Sequence, residues 1–378
     1  MNRKILVLSI VVLAGLFVFI SATNVKTAGG EKQVLLQTFS GVDESEFVKN
    51  IGGVTETSRD VKIPDEGSET SKEVETSITI SFAGDCTIGT DESFSYVNSF
   101  PYILKQQKND YAYFLNDVKP IFSTDDLTLV NLETTLTTAT KMAIKEFRFK
   151  GDPSNVNILK AGGVDMVNIA NNHINDYLTQ GFNDTLQTLH DNKILYSGMG
   201  HIAYYKKKGI TVASIGYKGW DTSIKKNLEE DIKKAKMEAQ IVIVSFHWGS
   251  EYAFYPNQTQ TELGRFSVDC GADVVVGHHP HVIEGIEKYK GKYIVYSLGN
   301  FCFGGNTQPA DFDAYIFQNK FKFDSENNMT SEVKIIPCSV SSVKNINDYR
   351  PTILRDNEKQ RVLEKIYKLS SGLEYGIE

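Results

Sequence analysis

Cysteine is scarce in this chain, with four in 378 residues: Cys86, Cys270, Cys302 and Cys338. That excludes a dense disulfide framework, and no Cys-x-x-Cys pair offers a thiolate zinc site. Small buried packing residues are the expected role for Cys270 and Cys338. The same role is expected for Cys86 and Cys302, although both sit beside suspected site residues. Basic excess is absent too. Lys and Arg total 40 against 47 Asp and Glu, a net charge of −7, so there is no electrostatic footprint for nucleic acid. Local basic patches around an anionic substrate remain compatible with that balance. No internal repeat is visible. With 41% hydrophobic and 23% charged residues, the composition is that of an ordinary globular protein.

The one long apolar run is Ile5–Ile20, preceded by Asn2, Arg3 and Lys4. A positive n-region before such a core marks a secretory signal or an uncleaved signal anchor. Ser21 and Ala22 could extend it toward spanning length, and cleavage after Ala22 is the competing outcome. Residues 1–22 are therefore expected to be a leader, with a membrane-anchored, extracytoplasmic protein favoured over a secreted one. Residues 23–76 are rich in Glu, Ser, Thr, Lys and Gly and hold no Trp or Tyr. Such a segment buries too little surface to offset its ordering entropy and reads as a polar tether, with Gln33–Phe39 as its one apolar stretch. The main domain is expected over 77–340, followed by a C-terminal tail, 341–378, with a surface helix over Asp356–Leu369.

Within the domain, five short apolar runs each lead to a residue, or block of residues, that can hold a metal. ITISFAG leads to Asp85, LTLVN to Glu133, DMVNIA to Asn171-Asn172-His173, IVIVSF to His247, and DVVVG to His278-His279-Pro280-His281. Short β-branched runs bounded by polar or Gly residues read as buried strands. Helical spacing appears between them, over 155–161, 181–192, 223–240 and 259–270. The alternation predicts an α/β domain, in which ligands bind where the carboxyl ends of strands meet. Tyr204–Ile215 and Ala314–Ile336 read as antiparallel additions or a second sheet.

His279-Pro280-His281 presents two imidazoles from one turn, and neutral imidazole is a common transition-metal ligand. His247 follows another strand and has Glu251 four residues later. An Asn amide oxygen in Asn171-Asn172 can ligate a metal, His173 can protonate a leaving group, and Asp176 can orient that imidazole. Taken singly, Gly84-Asp85 is an ordinary turn and Glu133 a solvated strand end. Together the clusters predict one or two divalent metals, Mn, Zn or Fe, bound by mixed O and N ligands.

GDCTIG, NLETTLT, FRFKGDP, NIANNHINDY, HWGSEY, VVGHHPHVIEG and YSLGNFCF occur in the order seen in the bacterial capsule-synthesis protein CapA family. The chain resembles that family from about Ser77 to Gly305. The resemblance implies a four-layer α/β/β/α sandwich of the metallo-dependent phosphatase type. It also implies Asp85 on a first metal, Glu133 as the bridging acid, and Asn172, His247 and His279 on a second. His281 would return to the first metal, and His173 would be the general acid, with Asp176 behind it. Two departures stand out: Asp85-Cys86-Thr87 replaces the usual Asp-x-His, and the bridging acid is Glu in place of Asp. Asn131, Arg148, Lys150 and Glu251 are candidates to contact substrate. The family is associated with poly-γ-glutamate capsule, so the expected partner is an anionic capsule polymer, with capsule synthase subunits beside it. The expected function is a metal-dependent hydrolase acting on an anionic cell-surface polymer or phosphoester. The competing expectation is a non-catalytic, membrane-tethered assembly or export factor.

Overall fold

The computed structural model describes residues 76–378. The leader, and the tether up to Glu75, lie outside the described residues. The first strands in chain order are β1 (Thr76–Thr87), β2 (Thr90–Asp91), β3 (Leu127–Leu132), β4 (Thr135–Leu136), β5 (Phe149–Gly151), β6 (Met166–Asn168) and β7 (Leu195–Ser197). They are followed by β8 (Ile202–Lys207), β9 (Ile210–Gly219), β10 (Ile241–Trp248), β11 (Val274–His278), β12 (Ile286–Tyr289) and β13 (Lys292–Val295). The last are β14 (Asn300–Phe303), β15 (Asp313–Phe323), β16 (Met329–Ser339) and β17 (Thr352–Ile353). The helices are α1 (Phe100–Gln106), α2 (Lys119–Phe122), α3 (Val156–Gly162), α4 (Leu178–Asp191), α5 (Lys225–Glu238), α6 (Gln258–Cys270) and α7 (Asp356–Ser370). Among the described residues, no helix is long and apolar enough to cross a membrane.

Two large sheets form. One has the order β17-β16-β15-β1-β3-β6-β7, with β14 also paired to β1, and the other runs β12-β13-β11-β10-β9-β8. A ribbon of β2, β5 and β4 stands apart. In the first sheet β14, β1, β3, β6 and β7 run parallel. In the second β9, β10, β11 and β13 do. The expected additions over 204–215 and 314–336 are two antiparallel hairpins, β8–β9 and β15–β16.

Three apolar clusters define the layers. Ile78, Ile80, Leu129, Ile243, Val274 and Val276 pack between the sheets. Val130, Val167, Phe114, Leu159 and Leu189 fill the outer face of the first sheet, under α3 and α4. Val242, Val244, Val275, Leu228, Ile232 and Leu263 fill the outer face of the second, under α5 and α6. The result is an α/β/β/α sandwich. Strand periodicity explains where the chemistry points. In β10, Ile241 and Ile243 face the other sheet while Val242, Val244 and Phe246 face helices. His247, in the same parity as Ile243, therefore enters the space between sheets. The closing helix α7 is part of this body: Val362, Ile366 and Leu369 sit in the inter-sheet core.

Backbone proximity sets the exit of β1. The Asp85 amide donates to the Gly299 carbonyl at 3.0 Å. A Cβ on Gly84 would stand 2.0 Å from that same carbonyl oxygen. The register of β1 on β3 shifts between Phe82 and Asp85, a bulge that re-aims the side chains beyond it.

Under α6 lies a buried acid. Gln260 completes the capping box with Asn257 and also donates from Nε2 to Glu284 Oε2 at 2.8 Å. Glu284 Oε1 has no partner among the described residues, and burial pushes this carboxyl up to about 8, against the lowering effect of the Gln260 bond.

Two outcomes are expected for stability. Gly84→Ala forces β1 away from Gly299 and costs about 1–3 kcal/mol, read as a lower denaturation midpoint. Glu284 is neutral in both folded and unfolded chains below the ordinary Glu range. As pH rises from there toward 8 the unfolded chain ionises first, so folded stability falls and then levels off above 8. Glu284→Gln should remove that decline and raise the melting temperature at pH 8 more than at pH 4.

Candidate metal centre

The carboxyl ends of β1, β3, β6, β10 and β11 meet at one edge of the sandwich. Glu133, one residue past β3, is its centre. Its Oε1 lies 3.4 Å from His247 Nε2, 3.8 Å from His281 Nε2 and 3.9 Å from His173 Nε2. Glu133, His279 and His281 each offer a ligand atom within 4.8 Å of the others. Asp85 Oδ2 lies 3.5 Å from His281 Nδ1 and accepts the His279 amide at 3.3 Å. Asn172 Oδ1 lies 2.8 Å from His247 Nε2. The structure thus brings Asp85, Glu133, Asn172, His173, His247, His279 and His281 together.

The HHPH turn does this with an uncommon backbone. His279 has φ 98° and His281 φ 57°, a conformation costly for non-glycine residues and concentrated at functional sites. Trp220, at the exit of β9, packs edge-on to His279 with ring centroids 4.8 Å apart and to His247 at 5.8 Å.

A layer of amides holds the acids in place. Asn131 Nδ2 donates to Asp85 Oδ1 at 2.8 Å and stands 3.3 Å from His247 Nδ1. Its Oδ1 accepts from Asn168 at 2.9 Å and Asn171 at 3.3 Å. Asn171 spends its remaining donor capacity on the Leu132 carbonyl, and its Oδ1 accepts the His173 amide. That leaves Asn172 as the Asn of the pair whose amide oxygen faces an imidazole. Asn300 Oδ1 meets His281 Nδ1 at 2.9 Å.

On the other side, His173 Nδ1 lies 2.6 Å from Asp176 Oδ2. Lys145 Nζ donates to Asp176 Oδ1 at 2.7 Å and to the Asn172 carbonyl at 3.0 Å. The Phe149 amide donates to Asp176 Oδ2 at 2.6 Å, and its ring packs 4.2 Å from the His173 ring.

The electrostatics fit a cation. Burial, with the charges of Asp85 and Glu251 adding, holds the Glu133 carboxyl well above its usual range. Burial also raises Asp85, against His281 and the Asn131 bond. The imidazoles move the opposite way. Burial takes His247 well below its range, with the neighbouring histidines adding, and brings His278 and His279 down to about 3. His281 and His173 are also lowered by burial, against Asp85 and Asp176 respectively. Among the described residues, both Glu133 oxygens and His279 Nδ1 are buried without a hydrogen-bond partner. Buried carboxylate oxygens and neutral imidazole nitrogens facing one another are the donor set a divalent ion requires, so the residues fit a metal.

Four substrate candidates fall in different places. Asn131 has no exposed surface; it supports Asp85 and does not face a substrate. Arg148 and Lys150 are not at the centre either, because neighbouring acids beside β2 neutralise them: Arg148 pairs with Asp91 and Lys150 with Glu92. Neither lines the cavity of about 480 Å³ that opens beside His173 and His281. Glu251 does. The sequence reading missed Lys145, Asn168, Trp220 and Asn300. Trp220 follows β9 and Asn300 opens β14, both at the edge where the donors meet, within reach of the strand-end argument. Lys145 sits in an irregular segment between β4 and β5, where no spacing rule points to it.

The sequence profile of the "Bacterial capsule synthesis protein PGA_cap" family matches residues 79–305. The chain belongs to this family. Its match therefore spans every strand end named above. Among its relatives is the "PGA biosynthesis protein CapA" of Bacillus subtilis (strain 168), 37% identical over 250 residues, covering 60% of this chain and 63% of that protein. The "Capsule biosynthesis protein CapA" of Bacillus anthracis is 30% identical over 268 residues, covering 63% and 64%. The chain thus spans slightly under two thirds of the length of these relatives. Two solved structures overlay loosely. The protein TT1561 of Thermus thermophilus gives a TM-score of 0.39 at 9% identity, covering 68% of this chain and 99% of that one. The 5'-nucleotidase of Candida albicans SC5314 gives 0.38 at 12%, covering 78% and 57%.

Metal binding is expected to raise the melting temperature of the protein. Glu133→Gln and His279→Ala should each abolish most of that rise. Asn131→Ala, which touches no metal but loosens Asp85, should weaken affinity about 10–100-fold, measured by competition with a chelating dye.

Proposed function

We propose that this chain is a metal-dependent hydrolase of capsule biosynthesis, acting on an anionic cell-surface polymer of the poly-γ-glutamate type. It would be held at the membrane by its N-terminal leader with the domain outside. The reading is carried by Glu133, buried among three imidazoles with both oxygens unpartnered among the described residues. The names of the Bacillus relatives, a PGA and a capsule biosynthesis protein, support the capsule assignment. Asp85, Glu133, Asn172, His247, His279 and His281 would hold one or two ions, Mn, Zn or Fe. A divalent ion there would act as a Lewis acid toward the scissile group and favour water as nucleophile.

The protein's own groups handle the proton. Burial keeps His173 neutral near pH 7. Its Nδ1–H then donates to Asp176, which leaves Nε2 to take a proton from water and hand it to the departing atom. Lys145 balances the Asp176 charge and fixes the carboxylate's angle. Phe149 covers one face of the ring and keeps water off it.

Full-length protein with Mn²⁺ should cleave poly-γ-glutamate or an activated phosphodiester. His173→Ala should lower kcat about 10²–10⁴-fold, the range of a lost general acid or base. His279→Ala should abolish turnover, and Lys193→Ala, on the surface, should leave it unchanged. Absence of turnover on both substrates with Mn, Zn and Fe would return the chain to the non-catalytic assembly or export role.

A further inference from the structure

The cavity beside His173 and His281 has a chemistry of its own. Its wall is aromatic. Ring centroids run from Phe147 to Phe94 at 5.8 Å, from Phe94 to Phe149 at 6.4 Å and from Phe149 to Phe303 at 6.3 Å. The wall ends on the two imidazoles, with Phe149 4.2 Å from His173 and Phe303 4.9 Å from His281. Tyr252, half-exposed, also lines the cavity. Among the described residues, no lysine or arginine lines it, and its one carboxylate is Glu251. Glu251 is exposed and makes no hydrogen bond or ion pair with any other described residue. It is near enough for its charge to act on both Glu133 and His173.

Aromatic faces attract cations through their quadrupole, and an unpaired carboxylate adds a full opposite charge. An anion entering the same space would meet the Glu251 carboxylate, with no lysine or arginine among the described lining residues to offset it. We propose that this cavity is an ammonium subsite, with Glu251 as counter-ion and Phe147, Phe149 and Tyr252 as walls.

The hydrolase reading, on which this next step rests, gives the subsite a role. Water adds hydroxyl to an amide carbonyl carbon, the C–N bond breaks, nitrogen takes the water's other proton, and the new carboxylic acid passes its own proton to the amine, leaving a carboxylate and an ammonium. With His173 on the cavity wall, the nitrogen side departs past Nε2 and the ammonium rests on Glu251. A phosphodiester releases an alcohol, which has no use for that charge. The site is therefore built for an amide-linked polymer.

Isothermal titration of the full-length protein with n-butylammonium and n-butyrate, similar in shape and opposite in charge, reads the subsite without turnover. Butylammonium should bind and butyrate should not. Glu251→Gln should weaken butylammonium about tenfold, equivalent to about 1.4 kcal/mol. Phe147→Ala should weaken it with the charge intact. Butyrate binding as tightly, no binding of butylammonium, or an unchanged Glu251→Gln would each overturn the subsite. A protein that binds butylammonium but cleaves nothing loses only the hydrolase reading. One that cleaves without any ammonium preference loses only the subsite.

Discussion

A carboxylate with no proton donor of its own, sealed between two sheets, is the constraint on which this molecule turns. Glu133 is fully buried, and its oxygens find no hydrogen bond among the described residues. Burying an ionised group costs several kcal/mol unless a charge of opposite sign accompanies it. The surrounding imidazoles cannot supply that charge, because the same burial drives them toward neutrality. The conflict resolves when a cation sits among them, and the sandwich is organised to keep the acids and imidazoles in that unresolved arrangement.

Rigidity comes from the amide layer beneath. Asn131 ties Asp85 to Asn168 and Asn171, so three neighbouring parallel strands share one polar seam. The same side chain reaches His247 on the opposite sheet. Networks of this kind set geometry more than they add net stability. Around the seam, the close backbone approach at Gly84 and the left-handed turn at His279 bring the donors inward. Strain in the turn and burial of charge are both sustained by the large apolar body, whose inter-sheet core extends from Ile78 to Leu369.

Much of the centre was legible from residue order because it obeys strand logic. Apolar runs of period-two parity end on donors, and parallel α/β sheets gather those ends. Asp85, Glu133, Asn172, His247, His279 and His281 follow from that argument together with the ordered motifs. The four-layer architecture was legible through the family resemblance, and the three apolar clusters display it directly. Arg148 and Lys150 misled because a charge beside a motif says nothing of its own neutralising partner. Asp91 and Glu92 lie more than fifty residues earlier and reach them only through the small β2–β5 ribbon. Lys145 and the aromatic wall were invisible, since irregular segments carry no period from which to infer a direction.

The amino-acid sequence by itself determined the strand–helix alternation, the donor at each strand end and the family. These are written locally, in hydrophobic period and in short ordered motifs. Tertiary structure alone decided which basic residues are already neutralised. It also decided that the cavity beside the centre is aromatic and acidic in place of basic. Those properties depend on distances between segments far apart in the chain, and electrostatic energy follows distance and burial, neither of which a linear sequence records.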